Sequence, residues 1–157
     1  LNKNHFSICE NAIKFGLKKV TWPGRMQFIK DKNLLLDGAH NFSAAKLLKS
    51  SLNTYFPNTK YIWIYSSINT KDYKSIIKVL FDKDDVVICT KSQSLASVDP
   101  EILKNEVLKY NPKQTVLTSK NIEEALTLRF CYKEKYKLTV VAGSLYTVGE
   151  VLKIIKS

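Results

Sequence analysis

Leu34-Leu35-Leu36-Asp37-Gly38-Ala39-His40-Asn41 concentrates more chemistry than any other stretch of this 157-residue chain. The three leucines read as a short strand buried on both faces, ending in a carboxylate, a glycine, an imidazole and an amide. A helical pattern follows at once, with Ala44, Ala45, Leu48, Leu52 and Tyr55 on one face. Ligands of open α/β sheets sit at the carboxyl ends of strands, where strand-to-helix turns present side chains and backbone N–H groups. Just upstream stands Arg25, in Trp22-Pro23-Gly24-Arg25, after a Pro-Gly pair that turns the chain sharply. The chain has two arginines and two histidines, and one of each falls in this small region.

Each of these residues has a chemical and a structural reading. The Arg25 guanidinium can hold phosphate oxygens through two N–H groups, or it bonds a turn carbonyl at the surface. Asp37 can accept hydrogen bonds from ribose hydroxyls, or it caps the turn, the commoner role for an acid so placed. His40 can orient a substrate or bond a carboxylate near neutral pH, although a histidine in a first helical turn is more often structural. Asn41 is the expected N-cap of the following helix. Ala142-Gly143-Ser144-Leu145-Tyr146 repeats the geometry, with a hydroxyl at a helix N-terminus that can cap the helix and meet an anion at once. Lys71-Asp72 and Thr90-Lys91-Ser92 fall on the same edge and are expected to be solvated.

The elements that must position these residues alternate along the chain. Ser7 to Phe15 has helical spacing, with Gly16 as its expected stop. Val20 to Lys30 reads as extended, broken by Pro23-Gly24, and through a turn at Asp31-Lys32-Asn33 forms a hairpin with the leucine strand. Strands follow at Tyr61 to Tyr65, Val86 to Cys89, Thr115 to Leu117 and Leu138 to Val141. Helices are expected from about Lys71 to Phe81, from Asp99-Pro100-Glu101 onward, from Asn121 to about Tyr132 and from about Leu145 to Ile155. The fold class that follows is α/β: a Rossmann-like three-layer sandwich, its sheet mostly parallel with one antiparallel strand from the N-terminal hairpin. The expected division is a connector over residues 1–16 and one domain over 17–157.

Hydrophobic residues make up 45% of the chain and charged residues 25%, as in an ordinary soluble globular protein. No apolar run approaches the ~20 residues needed to span a bilayer, and no secretory leader pattern is present. Cys9, Cys89 and Cys131 are odd in number and widely spaced, which fits a reducing, cytoplasmic compartment and three small buried side chains rather than a disulfide framework or a metal site. The formal charge of +11 comes almost wholly from scattered lysines, which makes nucleic acid an unlikely partner and leaves small anions attractive ones. No long apolar edge demands a partner, so a monomer is expected. Leu at position 1 suggests an excerpt of a longer protein.

Taken together, Trp22-Pro23-Gly24-Arg25, Leu36-Asp37-Gly38-Ala39-His40-Asn41 and Gly143-Ser144-Leu145-Tyr146, continuing through Val148-Gly149-Glu150-Val151-Leu152, resemble the carboxy-terminal domain of folylpolyglutamate synthase and dihydrofolate synthase, a branch of the Mur ligase superfamily. The resemblance implies ATP-dependent amide synthesis, in which a folate-type carboxylate is phosphorylated and then attacked by the amine of L-glutamate. It implies that Arg25 meets the ATP phosphates, that Asp37 meets the ribose, and that His40 and Ser144 lie near the reacting centre. Phe42 stands where the family usually has proline, Thr70-Lys71-Asp72 carries one carboxylate fewer, and a Pro-Arg pair near Ser94 to Ser97 is missing. A phosphate-gripping Gly-Lys-Ser/Thr loop is absent. The resemblance places that loop, the Mg ligands and most folate contacts on an amino-terminal ATPase domain, so the chain alone is expected to be inactive. The alternatives are a Mur-type ligase for another acid and a non-catalytic basic module that binds anions or nucleic acid.

Overall fold

Tyr61-Ile62-Trp63-Ile64-Tyr65 shows why this sequence makes a sheet covered on both sides: every residue of the strand is buried, and alternate side chains enter different cores. The computed structural model describes residues 8–20 and 22–156, and all elements below belong to them. The strands are β1 (Gln27–Ile29), β2 (Leu34–Leu36), β3 (Tyr61–Tyr65), β4 (Val86–Cys89), β5 (Thr115–Thr118) and β6 (Leu138–Ala142). They form one sheet in the order β1-β2-β6-β3-β4-β5, parallel except where β1 runs antiparallel to β2. The helices are α1 (Glu10–Lys19), α2 (Phe42–Tyr55), α3 (Tyr73–Leu80), α4 (Pro100–Tyr110), α5 (Ile122–Leu128) and α6 (Leu145–Ile154).

The expected three-layer arrangement is observed. Leu48 and Leu52 of α2, Ile76, Ile77 and Leu80 of α3, and Leu103 and Val107 of α4 cover the face carrying Leu35, Trp63, Val87 and Val140. Ile122, Ala125 and Leu126 of α5, with Val148 and Val151 of α6, cover the face carrying Leu34, Leu36, Ile64 and Val141. Edge-on aromatic pairs Tyr61–Trp63, Trp63–Phe81 and Tyr65–Phe81, with centroids 5.8, 5.4 and 5.3 Å apart, fill the first core. Buried Asp85 closes its lower end by accepting from Tyr61 N, Trp63 Nε1 and Asp82 N. Burial pushes the Asp85 carboxyl up from the ordinary carboxylate range, and those three donors pull it back.

Several expectations need correction. Gly16 does not stop the first helix, which runs through it to Lys19 and ends where Val20 turns extended. One glycine in an exposed helix costs about 1 kcal/mol against alanine, too little to end it. The expected start at Ser7 lies outside the described residues. The expected break at Pro23-Gly24 is observed but wider, a turn over Pro23 to Met26, which leaves only the three residues of β1 extended before Asp31. The expected turn at Asp31-Lys32-Asn33 is present, as a 3-10 turn (Lys30–Lys32) closed by Asn33 in the left-handed region. The helix from Asn121 tightens at Leu128 into a 3-10 segment, Arg129–Tyr132.

The cysteines also differ from expectation: Cys89 is buried, but Cys9 and Cys131 are exposed. Cys131 falls on the exposed side of the 3-10 segment, away from the face carrying Ile122, Ala125 and Leu126. Burial also pushes the Cys89 thiol up to about 12. Under native conditions Cys9 and Cys131 therefore react with a thiol reagent such as Ellman's, and Cys89 reacts only on unfolding. Three native equivalents would show that the β4 core is open.

Candidate functional site

The turn that carries Arg25 is built from backbone that few residues tolerate. Gly24 and Met26 on either side have φ of 71° and 44°, and a left-handed non-glycine residue costs roughly 1–2 kcal/mol. Hydrogen bonds from the turn's own amides hold it. Arg25 N donates to Trp22 O at 3.2 Å, Gly24 N to Gln27 Oε1 at 2.8 Å, and Met26 N to Asp37 Oδ2 at 2.9 Å. The other Asp37 oxygen accepts from Ala39 N at 2.8 Å. Asp37 is thus 8% exposed and clamps the Arg25 turn onto the end of β2. Arg25 itself is exposed.

Glycines bring the three sequence motifs into contact. A Cβ on Gly24 would come within 2.6 Å of Val148 Cγ1, and one on Gly38 would overlap the Leu145 side chain. The same Gly38 position lies 3.6 Å from Arg25 Nη1, so the guanidinium lies beside the Gly38 backbone. Gly38 N donates to Gly24 O at 2.8 Å and Gly143 N to Ala39 O at 2.9 Å. The first motif therefore packs on α6, the second joins both, and the third starts α6 beside them.

His40 and Ser144 line one small cleft of about 180 Å³ at the carboxyl edge of the sheet, together with Lys71, Gly143, Leu145 and Tyr146. His40 Nδ1 stands 2.8 Å from Gly38 O. A carbonyl only accepts, so Nδ1 carries the proton, and in the neutral ring Nε2 is the acceptor. Ser144 is 4% exposed and its Oγ accepts from Tyr146 N at 3.2 Å, the expected N-cap of α6. Behind it Thr147 and Ser66 share a hydroxyl–hydroxyl hydrogen bond. Asn41 caps α2 by accepting from Ala44 N at 2.9 Å, and Phe42 is the first residue of that helix.

Arg25 and Asp37 do not line the His40–Ser144 cleft; they adjoin it through Gly38. Lys71, expected to be solvated, is half-buried in the cleft, and Asp72 caps α3 from below it. Thr90 and Ser92 are also not solvated. Thr90 N donates to Tyr65 O and Ser92 N to Ser97 Oγ, which draws the loop inward and leaves both hydroxyls buried without a partner. Lys91 between them is exposed. Sequence reading undervalued Lys71 because only the β3–α3 loop path brings it across to α6. Among the described residues no group of three His, Cys, Asp or Glu side chains could hold a metal ion, and no helix is long and apolar enough to cross a membrane.

Comparison with known proteins gives the family and the fold. The family model for the C-terminal domain of dihydrofolate synthetase matches residues 25–154. A probable dihydrofolate synthetase of Schizosaccharomyces pombe is 33% identical over 162 residues, covering 96% of this chain and 38% of that protein. The dihydrofolate synthetase of Saccharomyces cerevisiae is 30% identical over 163 residues, covering 94% of this chain and again 38% of the relative. The same fold occurs in Mycobacterium tuberculosis folylpolyglutamate synthase complexed with ADP, with a TM-score of 0.86 at 22% identity, over 96% of this chain and 36% of that one. The chain thus spans less than two-fifths of these relatives, and over most of its own length it belongs to the dihydrofolate synthetase C-terminal domain family.

Proposed function

We propose that this chain is the nucleotide- and glutamate-facing part of an ATP-dependent ligase that joins L-glutamate to dihydropteroate or a folate. The observation that carries the reading is the convergence of Arg25, Asp37, His40 and Ser144 on one sheet edge through Gly24, Gly38 and Gly143. The relatives' activities and the ADP in the mycobacterial structure support the same assignment.

In this reading ATP supplies the phosphoryl group that activates the acceptor carboxylate. Arg25, exposed and held by its turn, grips phosphate oxygens with its fork of donors. Asp37 already accepts one amide on each oxygen, and a carboxylate oxygen has a second lone pair for a ribose hydroxyl. His40 Nε2 is an acceptor toward the incoming amine, and the N-terminus of α6 behind Ser144 favours anionic groups in the cleft. Phosphoryl transfer also needs a phosphate-cradling loop and a divalent cation. We assign both to an amino-terminal ATPase domain, with residues 1–16 as the connector and 17–157 as the domain. We place the enzyme in the cytoplasm as a monomer.

The test is a titration of this chain with a non-hydrolysable ATP analogue, followed by amide NMR. Shifts are expected to concentrate at residues 24–26, 37–41 and 143–146, and to disappear in Arg25→Ala. No folate-dependent ATP hydrolysis is expected from the chain alone. Shifts scattered over the surface, or ligase turnover at the level of an intact enzyme, would overturn the assignment.

A further inference from the structure

Arg129 is the other arginine of the chain, and no acid pairs with it among the described residues. Its Nη1 donates to Lys32 O at 3.1 Å, tying the 3-10 segment after α5 to the β1–β2 connection. Its Nε is buried with no acceptor. The guanidinium carbon lies 4.6 Å from the ring centre of Phe130, so an aromatic face and a carbonyl fix the plane of the fork. The buried Nε fixes the guanidinium in place, and of its two terminal nitrogens only Nη1 has an acceptor among the described residues, Lys32 O.

The unpaired arginine lines a groove of about 570 Å³ at the amino-terminal edge of the sheet, at the opposite end of the strands from His40 and Ser144. Lys32, Lys133 and Lys137 line it too, against two carboxylates, Asp31 and Glu134. Asp31 approaches only Lys32, at 3.9 Å. Lys133 Nζ sits 5.8 Å from the Phe130 ring centre, and Lys137 forms no ion pair among the described residues. Four cations and two carboxylates leave the groove a net positive charge of two.

We propose that this groove is a second anion site, separate from the nucleotide edge, which takes the phosphoryl oxygens of a small di- or polyanionic phosphate. A planar fork beside flexible ammonium groups suits a multiply charged phosphoryl group, which accepts from both kinds of donor. The site does not depend on the ligase assignment, because none of its residues belongs to the Arg25–Ser144 edge.

Inorganic pyrophosphate is the probe, titrated into the chain with detection of the Arg129 Nε–H and of backbone amides over residues 129–139. Shifts there are expected in the wild type. Arg129→Lys, which keeps the charge and loses the fork, should weaken binding about tenfold, the equivalent of 1.4 kcal/mol. The double substitution Lys133→Gln and Lys137→Gln touches exposed side chains and should weaken binding by a similar factor with Tm unchanged. ADP run in parallel separates the two sources of this chemistry. Equal affinity assigns the phosphoryl group alone, and tighter binding with shifts at Phe130 assigns a nucleotide. Unchanged affinity in both variants, or shifts confined to residues 24–26 and 143–146, would overturn the proposal.

Discussion

Gly143→Ala should destabilise the chain by about 3–5 kcal/mol, from backbone strain and overpacking together. Gly143 has φ of 101°, a region that L side chains rarely adopt. The added methyl would also be driven into the carbonyl of Ser66 and would lie 2.6 Å from a carbon of the Tyr65 ring. Neither neighbour can yield cheaply. Ser66 N is held by Ala142 O at 3.4 Å, and Tyr65 is fully buried and wedged against Phe81. In a domain of this size such a loss lowers Tm by roughly 10 °C, since 1 kcal/mol is worth about 2–4 °C. Gly149, inside α6, makes the control: a Cβ there meets nothing within 4 Å. Calorimetry on the two alanine variants separates them. Equal Tm values would mean that the β6–α6 turn is not the tight passage described above, and the placement of Ser144 would fall with it.

The contrast between these glycines also marks what the sequence could reveal. Strand and helix identity were legible wherever an apolar run met a polar turn: Tyr61–Tyr65 and Val86–Cys89 are strands over the expected residues. Asp99-Pro100, Asn41 and Ser144 begin helices because a short polar side chain there can accept from the first free N–H groups. The strand-end positions of Asp37, His40 and Ser144 were legible, and so was the turn before Arg25. Packing between distant segments was not legible. No spacing rule says that Gly24 must touch Val148, that Lys71 must enter the His40 cleft, or that Asp37 must reach back to Met26 N. Helix ends failed for a local reason: Gly16 looks like a terminator, yet every residue of α1 is exposed and one glycine there costs too little to stop the helix.

Asp37→Ala should cost about 3–5 kcal/mol, because it removes the acceptor from two amides at once and charge-assisted bonds are worth about 1.5–3 kcal/mol each. Ala39 N lies buried at the end of β2, so it has no water to turn to, and Met26 loses the bond that holds it at positive φ. Released from that bond, Met26 relaxes and the Arg25 turn loosens, so nucleotide affinity falls even if Asp37 never touches a nucleotide. Asp37→Asn divides the two roles. Its amide oxygen can serve one of the two N–H groups while its NH₂ faces the other, so about half of the stability should return. A ligand change then isolates the ribose. If Asp37 accepts a ribose hydroxyl, the wild-type chain binds ADP about tenfold more tightly than 2′,3′-dideoxy-ADP, and this preference shrinks or vanishes in Asp37→Asn, a coupling that a turn-holding role cannot produce. Equal affinity of the wild type for the two nucleotides would leave Asp37 as the residue that positions Arg25 and assign the ribose to other groups. The calorimetric loss would stand in either case, since it depends only on the two amides that Asp37 holds.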